Sequence, residues 1–411
     1  EHLQRDLGRP AVTGTDLLAG RRLVHVTTTD ISLVLLLGPQ LRAFAAAGME
    51  VIGVSAPGPW ADQLPEWGAR HEPLHHATRS ADPMEDALAL AELTRLLRKI
   101  RPDVVHTHNP KPGLYGRLAA RLARVPVVVN TVHGLYATAD DPLAKRLAVY
   151  SAERAASLCS HAELVQNPED LEVLRRLGVP ERKLVLLGNG VDLERFRPRH
   201  APAEVAEARR SLGLETDKVV VGTVARLVWQ KGLRELFAAA AALRERCPDL
   251  VFCVVGPGDP EKADALGTED IEQAKSLGNV TVAGLRHDVE RVYPAFDLFA
   301  LPSYREGFSR TAMEAAACGL PVVASDIRGC RQVVDDGVTG LLVPARDSQA
   351  LAAAVEELAG DAQRRHAMGK AAAAKAEAEF DDRRVAATTL AVYRRLLGNR
   401  ARRRPGSRAP A

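Results

Sequence analysis

Two carboxylates, Glu306 and Glu314, stand eight residues apart in the stretch LPSYREGFSRTAMEAAACG, which runs from Leu301 to Gly319. The apolar run from Leu298 to Leu301 ends at Pro302 and Ser303 and reads as a buried strand leaving a sheet. From about Arg310 the stretch turns Ala-rich and stops at Gly319, which predicts a helix with a glycine stop. Between them, Glu306-Gly307-Phe308-Ser309 forms a turn that delivers backbone N–H groups to a helix N-terminus. Such an end carries roughly half a positive charge and unpaired donors, so it suits an anion, above all a phosphate. Carboxylates on either side of an anion site point to a phosphate joined to hydroxyl-rich groups, as in a nucleotide sugar.

Cations stand upstream. Arg226 and Lys231, in ARLVWQKG, follow the apolar run Val219 to Val224 and are placed to neutralise a diphosphate. A departing nucleoside diphosphate gains charge in the transition state, so contacts of this kind matter most there. Taken alone, two bases on a loop are more often a solvated surface. Gly256-Pro257-Gly258 after FCVV is by itself a tight turn. His133 in NTVHGLY is a lone histidine, and such residues are more often structural. His106 and His108, in VVHTHNPKPG, end a strand; with no third ligand beside them they do not make a metal site.

These residues need a scaffold. A chain of 411 residues exceeds one ordinary core, so two domains are expected. Strands are read at Arg22–Thr27, Val51–Ser55, Asp103–Thr107, Pro126–Asn130, Glu163–Gln166 and Leu184–Leu187, with helical patterns between them. The pattern repeats at Val219–Val224, Leu250–Val255, Asn279–Ala283, Asp297–Leu301 and Pro321–Ser325. Alternation of this kind means parallel α/β sheets, whose ligands bind beyond the carboxyl ends of the strands. Asp82-Pro83 predicts an N-cap followed by Pro at the first helical position. A net charge of +3 does not argue for a nucleic-acid partner. Five cysteines, none in a CxxC pattern, predict buried thiols in a reducing cytosol. No run reaches ~18 apolar residues and the N-terminus lacks the apolar core of a signal peptide, so the reading is cytoplasmic.

The stretch LPSYREGFSRTAMEAAACGLPVVASDIRG, with NGVDLERFRP and VGTVARLVWQKG, resembles the retaining glycosyltransferases of family 4. The resemblance runs from about Arg22 to Leu397 and implies the GT-B fold, two Rossmann-like doubly wound domains facing across a cleft. Pattern and composition give an irregular start (1–21), an Asp/Arg/Pro-rich linker (192–215) and a disordered basic tail (398–411); the resemblance makes 22–191 the acceptor domain, 216–378 the donor domain and 379–397 a helix returning to the first domain. By resemblance Arg226 and Lys231 hold the diphosphate with no metal or other cofactor. Glu306 reaches the donor sugar and Glu314 the ribose; Gly307, Phe308 and the backbone N–H groups of Ser309, Arg310 and Thr311 line the phosphate. Gly256 opens the site beside the nucleotide, Arg286 belongs to the segment that reads the base, most often uridine, and His133 lies against the sugar.

Departures from the pattern are informative as well. Many relatives carry a Gly pair after the first strand, where this chain has TTTDISLVLL; Thr28, Asp30 and Ser32 are therefore read as acceptor-facing, with His108 and Lys111. Gln332 stands where many relatives have Glu. Arg117, Arg121 and Arg124 fall on one helical face, either a solvated stripe or a dock for an anionic membrane. The reading is a retaining hexosyltransferase using a nucleotide sugar, UDP-linked, and a sugar-containing or lipid-linked acceptor. It is cytoplasmic or peripheral at the inner face of the membrane. A nucleotide-sugar epimerase, which needs no acceptor, and a non-catalytic sugar-nucleotide-binding module are the alternatives.

Overall fold

The computed structural model describes residues 16–403 except 81, 109, 139–140, 200 and 261. The first fifteen residues of the expected irregular start, and the basic tail from 404 onward, lie outside the described residues. The chain divides into two compact units. One holds the residues up to Gly188 together with those from Asp382; the other runs from Asn189 to Asp381.

The first unit is built on a seven-stranded sheet in the order β3-β2-β1-β4-β5-β6-β7. Its strands are β1 (Arg22–Thr29), β2 (Glu50–Ala56), β3 (Ala69–Pro73), β4 (Val104–His108), β5 (Val127–Val132), β6 (Ala162–Val165) and β7 (Leu184–Leu186). Every pairing is parallel. β-branched runs such as Val127-Val128-Val129 are buried on both faces because helices cover both sides. The helix Pro83–Ile100 starts as expected: the Asp82 carboxylate accepts from the N–H groups of Met84 and Glu85 at 2.9 and 3.3 Å, and Pro83 takes the first position.

The helix Asp382–Arg403 belongs to this unit although it is made after the second one. It docks through Ala386, Val392, Tyr393 and Leu397 onto a core that includes Leu18, Leu23 and Phe44. Helix continues through residues 398–403, where a disordered tail was expected.

The second unit carries β8 (Val219–Val224), β9 (Leu250–Val255), β10 (Val280–Gly284), β11 (Leu298–Leu301), β12 (Val322–Ser325) and β13 (Gly340–Val343). They form a parallel sheet in the order β10-β9-β8-β11-β12-β13. The expected linker is no loose tether. Residues Pro202–Ser211 form a helix whose buried Arg209 donates to the carbonyls of Ala295, Thr216 and Lys218 and to Asp297 Oδ2 at 2.7 Å. The edge strands β3 and β13 were not read from the sequence, since ARHEP and GLLV are too polar or too short to stand out.

The basic stripe is corrected by the fold. On the helix Lys111–Leu122, Arg117 is fully buried, with Nη1 2.9 Å from Glu163 Oε1 and Nη2 2.7 Å from Glu153 Oε2. Arg121 and Arg124 are exposed. The helix ends at Leu122, so Arg124, with φ +58°, lies beyond it, and the face at Arg117 turns inward to two carboxylates from other elements. What the helix does expose is Leu114, Leu118 and Leu122, one turn apart; the helix Leu143–Ala156, which packs beside it, exposes Leu143 and Leu147. Among the described residues no helix is long and apolar enough to cross a membrane.

Candidate active site

In the second unit the predicted donor residues gather at the carboxyl ends of the strands. Arg226 follows β8, Gly256 closes β9, Arg286 follows β10, and Glu306 stands in the loop after β11. Lys231 ends a short turn, and its Nζ lies 2.6 Å from Glu306 Oε1, both side chains being largely buried. Arg226 pairs with Asp259, which follows β9. Arg310 Nε lies 3.1 Å from Glu314 Oε1. Each of these three cations thus holds a carboxylate, and the local charge is balanced before any ligand arrives.

Glu314 is buried on the helix Arg310–Ala317, where the Tyr293 hydroxyl donates to its Oε2 at 2.8 Å. Burial and then the neighbouring Glu314 push the Tyr293 phenol well above its ordinary value, so it remains a donor. Glu306 is fixed differently. A Cβ on Gly329 would lie 2.6 Å from the Glu306 carbonyl oxygen, so only glycine lets the segment after β12 come this close. Gly256 is equally constrained, with φ +151° and a virtual Cβ 1.9 Å from the Ala225 carbonyl oxygen.

Several donor assignments change in detail. Ser309 caps the helix Arg310–Ala317: its Oγ accepts from the Ala312 N–H at 3.4 Å, and its own N–H donates to the Gly329 carbonyl at 3.3 Å. Its N–H is therefore engaged, and the phosphate-donor expectation passes to the N–H groups of Arg310 and Thr311. Gly307 is half-buried in the same loop, and the Phe308 ring stands edge-on to Phe380 at 5.9 Å, directed into the core. Arg286 forks onto Asp288 with both bonds at 2.8 Å and holds that carboxyl down at about 2.

In the first unit the histidines form a chain. His133 Nε2 lies 2.9 Å from His108 Nδ1, and His108 Nε2 lies 2.9 Å from Nδ1 of His25, a β1 residue. His25 sits opposite His106 in the β1–β4 register, and His106 binds the Tyr393 hydroxyl at 2.5 Å and Thr131 Oγ1 at 2.7 Å. Burial drives His25 down to about 3 and His133 to about 4, and takes His106 and His108 well below the ordinary value. All four are neutral rings at neutral pH.

His25 Nε2 is buried with no hydrogen-bond partner. A bare lone pair there costs less than an orphaned N–H. The protons are then fixed along the chain: His25 Nδ1–H donates to His108, and His108 Nδ1–H donates to His133 Nε2. The His133 ring also hydrogen-bonds the Gln166 side chain, so both of its nitrogens are engaged within its own unit.

Of the residues read as acceptor-facing, His108 and Asp30 are buried. His108 is buried in the stack. Lys111 is locked onto Asp86 at 2.6 Å and onto the Thr78 and Ser80 carbonyls at 3.1 and 2.6 Å. Asp30 is buried and accepts from the N–H groups of Trp60 and Ala61 at 2.8 and 3.2 Å, bracing the loop after β2. Ser32 bonds Thr29 Oγ1 at 3.0 Å, and Thr28 is half-buried within β1. The His106–His108 pair, read as lacking a third partner, has one in His25, with ring nitrogens of all three within 4.8 Å of one another.

Comparison with known proteins identifies the family. The model described as "Glycosyl transferases group 1" matches residues 204–375, and that described as "Glycosyltransferase Family 4" matches residues 40–195. A galactosyltransferase of Escherichia coli, named as acting from UDP-Gal on α-D-GlcNAc-diphosphoundecaprenol, is 34% identical over 66% of this chain and 69% of its own. The chain belongs to glycosyltransferase family 4. A Campylobacter jejuni N-acetylgalactosaminyltransferase, named for N,N'-diacetylbacillosaminyl-diphospho-undecaprenol, is 26% identical over 88% of this glycosyltransferase and 95% of its own chain. In fold, the glycosyltransferase is similar to sucrose-phosphate synthase of Thermosynechococcus elongatus, with a TM-score of 0.77 at 24% identity over 92% of this chain and all of the other. Its two parallel-sheet α/β units are those of the GT-B fold.

Residues that sequence reasoning missed are the ones that hold the others. Asp259 and Tyr293 hold Arg226 and Glu314 in the glycosyltransferase, and Gly329 admits the backbone of Glu306. Only Gly329 carried a signal, as the last residue of the motif running from Leu301.

Proposed function

We propose that this glycosyltransferase moves a hexosyl unit, with retention of anomeric configuration, from a UDP-sugar to a hydroxyl of a polyprenyl-diphosphate-linked saccharide. The carrying observation is the Lys231–Glu306 pair at 2.6 Å, which sets a cation and the carboxylate assigned to the sugar together in the loop that leads into the helix Arg310–Ala317, whose start suits a phosphate. The E. coli relative, named for a UDP-sugar and a diphosphoundecaprenol acceptor, supports the choice of both substrates.

Retention without a protein nucleophile means attack on the face the leaving group departs from. The bond between the anomeric carbon and the β-phosphate oxygen breaks, the acceptor oxygen bonds that carbon, and its proton passes to the departing phosphate. Arg226, Lys231 and the helix start stabilise the charge collecting on UDP. We further propose that the exposed leucines of the helices Lys111–Leu122 and Leu143–Ala156 rest on an anionic membrane surface, where a polyprenyl-linked acceptor resides.

Incubating the protein with a panel of UDP-sugars, with and without polyprenyl-diphosphate saccharides, tests the reading. UDP release should require the acceptor, NMR of the product should show the donor's anomeric configuration, and activity should survive EDTA. Inversion overturns the mechanism. Donor isomerisation without acceptor overturns transfer, and loss in EDTA restored by Mg²⁺ removes the role given to Arg226 and Lys231.

A further inference from the structure

A basic recess lies in the first unit, at the amino-terminal edge of its sheet. It measures about 1180 Å³ and opens between the segments preceding β4, β5, β6 and β7 and the end of the helix Asp382–Arg403. Arg121, Arg124, Arg182, Lys183, Arg395 and Arg400 line it. Its one carboxylate among the described residues, Asp103, is already bound to Arg21 at 2.8 Å. Among the described residues Arg121, Arg124 and Arg182 have no acidic partner. A wall of this kind repels itself and is stabilised by a bound anion.

A second feature points the same way. The Val128 backbone N–H donates to His161 Nδ1 at 3.0 Å. Burial, Arg400, Arg121 and Lys183 together depress His161 to about 4, so at neutral pH the ring is neutral. With Nδ1 accepting, its single proton must sit on Nε2. Yet Nε2 lies 2.9 Å from Arg400 Nη2, which can only donate. The His161 Nε2–H therefore points at a donor instead of an acceptor. An anionic oxygen at the recess wall would receive it.

We propose that this recess binds a phosphate-bearing polyanion, held by forked contacts from Arg121, Arg124 and Arg182 and by His161 Nε2–H. Guanidinium forks match the oxygens of phosphate, and the volume admits more than one such group. The same chemistry is offered by an anionic lipid headgroup and by a soluble diphosphate. The site requires neither the donor nor the acceptor of the transfer reaction and does not rest on that assignment.

Calorimetry with inorganic pyrophosphate, and flotation with phosphatidylcholine vesicles with and without phosphatidylglycerol, compare the native protein with the double variant Arg124→Gln/Arg182→Gln. Both side chains are exposed, so the variant folds. At least a tenfold loss of pyrophosphate affinity, with a shift of the His161 imidazole signals on titration of the native protein, is the expected result for a soluble ligand. Phosphatidylglycerol-dependent flotation lost in the variant, without pyrophosphate binding, supports the same site with a headgroup as its ligand. Pyrophosphate held at Arg226 and Lys231 would survive the double variant and leave His161 unmoved. That result, or no binding of either probe, overturns the proposal.

Discussion

Glu306 and Glu314 are held by different partners, and their amides should fail differently. Glu314 is buried under Tyr293 and Arg310, an anchoring position assigned to the ribose, which is bound alike before and during reaction. Glu314→Gln should therefore raise the donor KM more than it lowers kcat, and Tyr293→Phe should do the same more mildly. Glu306 shares Lys231 and is assigned to the sugar whose charge changes as the bond breaks. Glu306→Gln should lower kcat by about 10²–10³ with little loss of UDP affinity. Steady-state kinetics and UDP calorimetry on the three variants decide it; equal behaviour of the two amides would mean that the nucleotide sugar lies otherwise along this helix. At this scale the sequence was legible where a motif named a residue and silent where a partner came from elsewhere. Asp259 is 33 residues from Arg226 and Tyr293 is 21 from Glu314, and neither distance leaves a periodic trace.

The helix Lys111–Leu122 shows how a stripe read from spacing can fail: it ends before Arg124, and its arginines do not share one environment. Its Arg117 faces Glu153 of a neighbouring helix and Glu163 of β6, and Glu163 also accepts from Asn130 Nδ2 at 2.9 Å. Removing one partner of a buried charge cluster leaves the others uncompensated, at a cost of about 3–5 kcal/mol. Arg117→Leu should destabilise the first unit by that amount in urea titration, whereas Arg121→Gln, on the exposed turn above, should change stability by under ~0.5 kcal/mol. Equal small effects would show that the cluster is hydrated. Strands and capped helices were legible because their signals are local, as at Asp82-Pro83. The setting of Asp30 was not legible because it serves backbone N–H groups at Trp60 and Ala61, a bond that no short window contains.

For the molecule as a whole, acid should act on one unit before the other. His25, His106, His108 and His133 are all depressed by burial, so the unfolded chain takes up protons near pH 6.5 while the native first unit does not. Their contribution is complete above that pH and is lost as pH falls toward about 4. Between pH 7.5 and 5 this amounts to about 2 kcal/mol for each of His25 and His133. Calorimetry should therefore show a first-unit transition that falls steeply over this range while the second-unit transition holds; a common shift of both would contradict the assignment. The two-sheet plan itself was legible because each half repeats the strand–helix alternation, but the return of the segment from Asp382 to the first unit came only from resemblance. That return sets a timetable for synthesis. The second unit is one unbroken stretch of roughly 190 residues, which a ribosome making 5–20 residues per second takes about 10–40 s to produce. Through that interval the nascent first unit waits with the groove for Tyr393 and Leu397 uncovered and His106 lacking its hydroxyl partner. The part of the enzyme begun first is finished last, and in the meantime it is the part most in need of a chaperone.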